Sequence, residues 1–306
     1  MERPRANNNE YQYMVYENDL KFRHKQNINP SRAIWDTEDV KTNFSNIKHD
    51  SLEYRIDECI KNNYMYLDLS HLNLDMVPNL EKHKNYINIK KIKFLFLNDN
   101  NLTNIGDNLS QFLNLEVLDV SNNKITHISA ISSTLIELAC HNNFIDNLPC
   151  HDKLERLDCS HNKIILLNSY KKLRKLHCEF NDLDAIISYP NLHWLDCSNN
   201  HKLKNISPLV ALTYLDCSNT NLCGLLFGFP SLGYLLCSGT NINEIDKSIK
   251  LKVLEIVSTK IDKLPFISTL RDLTYKTSDK LSISTKYHII NHHEQEKNTY
   301  IEFEEQ

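Results

Sequence analysis

Residues 154–167 read Leu-Glu-Arg-Leu-Asp-Cys-Ser-His-Asn-Lys-Ile-Ile-Leu-Leu. The same phrase, L-x-x-L-x-[CVI]-x-x-[NT]-x-[LI]-x-x-[IL], opens at Leu115, Leu135, Leu154, Leu173, Leu192, Leu212, Leu232 and Leu251, a step of 19 or 20 residues throughout. The copy from Leu192 carries one extra residue. Divergent copies lie around Leu67 and Leu69 and around Leu95, Leu97, Asn100, Leu102 and Ile105, and a fading one at Leu270, Leu273 and Tyr275. About eleven units therefore cover residues 64–283. A short fixed period of this kind marks a solenoid, in which each unit buries its apolar face only against its neighbours.

Each position of the phrase has a physical reading. The x-x-L-x-L segment is a short strand whose alternate side chains face opposite ways, so the Leu and Cys positions point inward and the residues between them face solvent. Successive strands stack in parallel about 4.8 Å apart, a ladder of roughly 50 Å for the whole array. The Asn at the ninth position turns the chain out of the strand and bonds neighbouring backbone groups from inside the turn. Thr220, Thr240 and Thr259 stand at this position in the later units, where a hydroxyl can do part of the same work. Units this short leave too few residues for a crossing helix, so the far side is expected to be extended or 3₁₀-like.

The pattern resembles the leucine-rich repeat family over more than two thirds of the chain. The resemblance implies an α/β solenoid: a shallow leucine-rich repeat horseshoe with a parallel β-sheet on its concave face and an N-terminal capping helix. Cys140, Cys159, Cys178, Cys197, Cys217 and Cys237 share one inward strand position. Cys there is a small apolar filler, and units with the phrase LDCSNN resemble leucine-rich repeats of internalin-like type. Cβ atoms near 4.8 Å apart fall outside disulfide reach, and no CxxC pair suggests zinc. The richness in Asn, Ile, Lys and Tyr, with the repeat style, resembles leucine-rich repeat proteins of giant DNA viruses.

Open solenoids need caps. Asp50 as N-cap with Glu53 three residues on opens a helix over 51–62, with Leu52, Ile56, Cys59 and Ile60 on one face. Residues 1–50 form a polar N-terminal extension, expected to be partly disordered apart from Tyr11–Tyr16 and Ile34-Trp35. Residues 284–306 are expected to give a last strand and an acidic tail. Lys82, Lys84, Lys90, Lys91 and Lys93 crowd the segment between the first two units and read as a solvated loop.

Composition narrows the function. The 306 residues carry 35 Lys and Arg against 39 Asp and Glu, a net charge of −4 that argues against a nucleic-acid partner. Five Gly leave little room for a phosphate-cradling loop, and neither GxGxxG nor GxxxxGK[ST] occurs. No run of 18 apolar residues suggests a membrane span, and the N-terminus lacks the apolar core of a signal peptide. An odd number of Cys, nine, fits thiols in a reducing cytoplasm better than a disulfide framework. His288, His292 and His293 lack carboxylate or Cys ligands at suitable spacing, so neither a metal nor a cofactor is expected. No Ser/His/Asp order, HExxH or nucleophilic Cys motif points to an enzyme.

A protein partner on the concave face remains. The repeat phase writes out its columns: Trp194, Tyr214 and Tyr234 stack in one, beside Asp196, Asp216 and Leu236, with His177 in the same second column. Phe94 with Phe96 forms a second patch, and Arg156 with Lys175 a basic spot between the two. Aromatics are enriched in binding hot spots, whereas stacked aromatics also support one another along a ladder. The Asp column weighs less, because L-D-[LCV]-S is common in strands of the resembled family. The expected partner is a protein, of the host if the chain is viral. The alternatives are a structural or assembly component and a substrate-recognition adaptor for a ubiquitin ligase, although no F-box-like leucine pattern is evident.

Overall fold

The computed structural model describes residues 51–62, 64–81, 89–128, 131–276, 282–283 and 298–302. The N-terminal extension 1–50, Lys82, Lys84 and the His288, His292 and His293 group lie outside them. The strand phrase forms what its alternation dictates. One twelve-stranded sheet runs from Tyr66–Asp68 to Asp272–Lys276 through parallel neighbours in sequence order, and Asn298–Glu302 closes it antiparallel. Its strands are mostly three residues long and pair in strict phase, Leu176 with Leu195 and Leu195 with Leu215. The central Leu of every parallel strand in this sheet, from Leu67 to Leu273, is at most 2% exposed.

The far side is extended, as the short period requires. Ala185–Ile186 pairs with Asn205–Ile206, Cys223–Leu226 with Asn241–Ile245, and Lys263–Leu264 with Ser282–Ile283, all parallel. A 3₁₀ turn at Asp107–Gln111 occupies the corresponding place in an early unit. The six strand cysteines are fully buried in the core between the two sides. Each of Cys159, Cys178, Cys197, Cys217 and Cys237 directs its Sγ at the backbone carbonyl of the next strand, at 3.3–3.5 Å. Burial pushes these thiols well above their ordinary pKa, so they are not nucleophiles. Cys150 and Cys223 are exposed.

At the N-terminal end the helix Leu52–Lys61 lays Ile56, Cys59 and Ile60 on the first unit. Its cap is Ser51, whose side chain accepts the Tyr54 N–H, one residue later than the Asp50 cap expected from the sequence. Both residues are good caps, and the deciding geometry is which oxygen reaches the amide three residues on. Arg55 crosses from the helix to the Ser70 carbonyl at 2.8 Å and ties the cap to the first turn. No helix among the described residues is long and apolar enough to cross a membrane.

The turn out of each strand rests on two columns. In the inner one, the ninth-position Asn is a four-way clamp. Asn162 Nδ2 donates to the carbonyls of Cys140, Cys159 and Ser160, and its Oδ1 accepts the Ile145 N–H. Thr220 and Thr240 keep one of these bonds, to the carbonyl three residues back at 2.7 Å.

The outer column, one residue earlier, is left-handed in unit after unit. Asp99, Asn122, Asn142, His161, Phe180, Asn199, Asn219 and Ser258 have φ between 50 and 58°, and Gly239 has 70°. Asn suits this conformation; Phe does not. Phe180 is nevertheless half exposed and stacked on His161, ring centroids 4.3 Å apart. Phe180→Asn is therefore expected to raise stability by about 1 kcal/mol in urea unfolding, relief of the left-handed strain exceeding loss of an exposed ring contact. A loss of stability would show that the ring stack outweighs the backbone strain.

Candidate functional site

The solvent face of the main sheet is built by the residues flanking the central Leu. The first of its two regularities is structural. In Asp-x-Ser units the Asp Oδ1 accepts both the N–H and the hydroxyl of the Ser two residues on: Ser121 on Asp119, Ser160 on Asp158, Ser198 on Asp196. The Ser218 N–H does the same on Asp216. The Asp column thus closes the strand exit, and Asp196 and Asp216 each spend one oxygen on it.

The second is the aromatic column. Tyr214 pairs in register with Trp194 on one side and Tyr234 on the other. The Trp194 and Tyr214 rings lie 3.7 Å apart and 6° from parallel, a close face-to-face stack on adjacent strands. Lys175 Nζ sits 5.2 Å from the centroid of Trp194, and the His177 ring is tilted against it at 6.2 Å. Trp194, Tyr214 and Tyr234 are half-buried; Trp194 and Tyr214 cover each other's faces, whereas Tyr234 stands in register with Tyr214 without a ring stack. Trp194 Nε1 is buried without a hydrogen-bond partner, and burial pushes the Tyr214 hydroxyl pKa up.

Two other expected groups are arranged differently. Phe96 is buried, so only Phe94 remains partly open in the second patch. That patch lies five strands from Trp194, roughly 24 Å along the ladder. The basic spot is partly neutralised: Arg156 pairs with Glu137 at 3.1 Å, which leaves Lys175 as the cation that stands against the aromatic column.

Between the aromatic column and Arg156 lies a cluster that the two columns, taken separately, do not assemble. One unit replaces Asp-x-Ser by His177-Cys178-Glu179, and the unit after it brings Asp196 alongside. A ring nitrogen of His177 and one oxygen each of Glu179 and Asp196 lie within 4.8 Å of one another, all half-buried. Burial, then the charges of Asp196 and Asp158, pushes Glu179 above the usual carboxylate range, and burial with the Asp216 charge does the same to Asp196. Burial and the neighbouring Lys175 charge hold His177 down at about 4, so its imidazole is neutral at pH 7. Asp158 is set apart. Burial works to raise its pKa, but the His141 ring, whose Nδ1 lies 3.2 Å from its Oδ2, and the nearby His177 outweigh it and bring the value to about 2. The signal was in the sequence as the substitution of H-x-E for D-x-S, visible only once residues five and seven of the phrase are known to share a face.

Comparison with known proteins bears on the fold. The Leucine Rich Repeat family model matches residues 114–138. No curated protein matches the sequence. Among solved structures, the leucine-rich repeat domain of APL1B is 22% identical with a TM-score of 0.57, over 74% of this chain and 75% of that one. The leucine-rich repeat domain of LRIM1 is 20% identical with a TM-score of 0.51, over 68% of this chain and 72% of that one. A chain of the LRIM1/APL1C complex is 19% identical with a TM-score of 0.56, over 68% of this chain but 47% of its own length. Repeat period, in-phase parallel ladder and these likenesses together give this chain the leucine-rich repeat fold.

Proposed function

We propose that the chain is a non-enzymatic scaffold that binds a protein partner on the solvent face of its main sheet, centred on Trp194, Tyr214 and Tyr234. The observation that carries this reading is the half-buried Trp194–Tyr214 stack with Lys175 beside it on the solvent face of the sheet. Trp, Tyr and Arg dominate hot spots because they offer large area and one polar handle at little entropic cost. Lys175, His177, Asp196 and Asp216 form the polar surround, and Arg156 with Glu137 and the half-open Phe94 extend it along the ladder. Leucine-rich repeat folds commonly serve protein–protein interaction, and LRIM1, whose leucine-rich repeat domain is similar in fold, is found in a complex with APL1C. Nine free thiols, seven of them buried, fit action in a reducing cytoplasm, that of a host cell if the chain is viral.

The test is affinity capture from host-cell lysate with the wild-type chain, Trp194→Ala, Tyr214→Ala and, as a far-side control, Leu166→Ala. Losing a hot-spot aromatic is worth about 2 kcal/mol or more, some thirtyfold in affinity, so the first two variants should lose a specific partner that the control keeps. Retention of every partner by Trp194→Ala and Tyr214→Ala would remove this face as the binding surface.

A further inference from the structure

We propose that His177, Glu179 and Asp196 form a binding site for a divalent transition-metal ion on the solvent face of the main sheet. His177 and Asp196 also border the aromatic stack, but the geometry of this site does not depend on a protein partner. Three donors of the right kinds, one imidazole nitrogen and two carboxylate oxygens, already lie within 4.8 Å of one another. Bonds of about 2.1 Å to a tetrahedral ion would bring them to roughly 3.4 Å apart, a closure of about 1.4 Å at most that side-chain torsions supply.

Each ligand has the atom free that the ion needs. Asp196 gives one oxygen, Oδ1, to Ser198, which leaves Oδ2. Glu179 Oε2 is buried without a hydrogen-bond partner, a costly condition that a cation removes. His177 Nδ1 stands 3.9 Å from Glu179 Oε2. Strand phase fixes the set, since His177 and Asp196 are direct register partners and Glu179 follows His177 by two residues on the same face. Asp158, next along the column, is held by His141 and Ser160, so the ligands number three.

The charges also close. An imidazole and two carboxylates neutralise a dication, and a cation between two carboxylate oxygens this close offsets their mutual repulsion. Mixed nitrogen and oxygen ligation selects zinc-like or manganese-like ions over magnesium, which prefers an all-oxygen octahedron. Coordination positions beyond the three ligands would be filled by water.

Trp194 reports on this site, because its ring lies 6.2 Å from that of His177. The chain has two Trp, so in the full-length Trp35→Phe protein Trp194 is the sole indole emitter. Cobalt(II) added to that metal-free protein should quench Trp194 saturably at one equivalent. Zinc(II) should reverse the quenching and raise the thermal midpoint, whereas magnesium should do neither. His177→Asn or Glu179→Gln on the same background should raise the half-saturating cobalt concentration at least about tenfold. If His177→Asn does not fold, the near-isosteric Glu179→Gln carries the comparison. Quenching that does not saturate, that magnesium reproduces, or that is unchanged in Glu179→Gln would overturn the site.

Discussion

Asn200→Ala should destabilise the chain by about 3–5 kcal/mol, measured by urea unfolding followed at 222 nm. Asn200 is fully buried. Its Nδ2 donates to the carbonyls of Cys178, Cys197 and Ser198, and its Oδ1 accepts the Leu183 N–H. Alanine keeps none of these bonds and admits no water, so several backbone groups are stranded at about 1–3 kcal/mol each. Two of the bonds, to Cys178 and from Leu183, reach the preceding unit, so the substitution weakens an interface between units as well as one turn. Asn200→Thr should recover roughly half the loss, because Thr220 and Thr240 keep the bond to the carbonyl three residues back. Asn200→Asp should do no better than alanine: it could accept from Leu183 but would set a carboxylate against three carbonyl oxygens. A cost below about 1 kcal/mol for Asn200→Ala would mean that the turn does not depend on this clamp.

This clamp was readable from the sequence, because an Asn recurring at one phase of a 19–20-residue period has to serve the turn. The same phase sets the register: Trp194, Tyr214 and Tyr234 fall in line because every strand begins at the same step of the repeat. Other features depend on interactions that periodicity does not encode. The left-handed column holds Asn, Asp, His, Phe, Gly and Ser, and a position defined by backbone torsion rather than by side-chain type leaves no consensus letter. Phe96 looks like Phe94 in a two-letter alternation, and its burial is a matter of its neighbours. The His177, Glu179 and Asp196 group joins two units, so it emerges only when the ladder sets one strand beside the next. The helix cap falls on Ser51 rather than Asp50 because a single residue's offset is decided by one hydrogen bond.

Leu157→Ala should cost about 3–5 kcal/mol, and the shape of its unfolding curve should differ from that of Leu67→Ala. Leu157 is 1% exposed and packs in register between Leu138 and Leu176, so the cavity opens in the middle of the ladder with a unit on each side. Those neighbours are held by their own hydrogen bonds and cannot collapse into the space, which places the cost toward the upper part of the range for Leu→Ala. Leu67 is 2% exposed, but among the described residues it has one strand neighbour, Leu95, and on its other side the helix carrying Ile56, Cys59 and Ile60. A short helix can shift to follow a lost side chain, so Leu67→Ala should cost less, about 2–3 kcal/mol. Because each unit touches only its neighbours, stability is a sum of contributions from the units and from the interfaces between them. The central cavity weakens two interfaces and should lower the midpoint of the whole transition, or split it into two steps about the fifth strand. The cavity at the end of the array should fray the first unit and leave the main transition near its wild-type midpoint. Equal midpoints and equal slopes for the two variants would mean that the array unfolds as one cooperative block, with no weak plane for a central cavity to open.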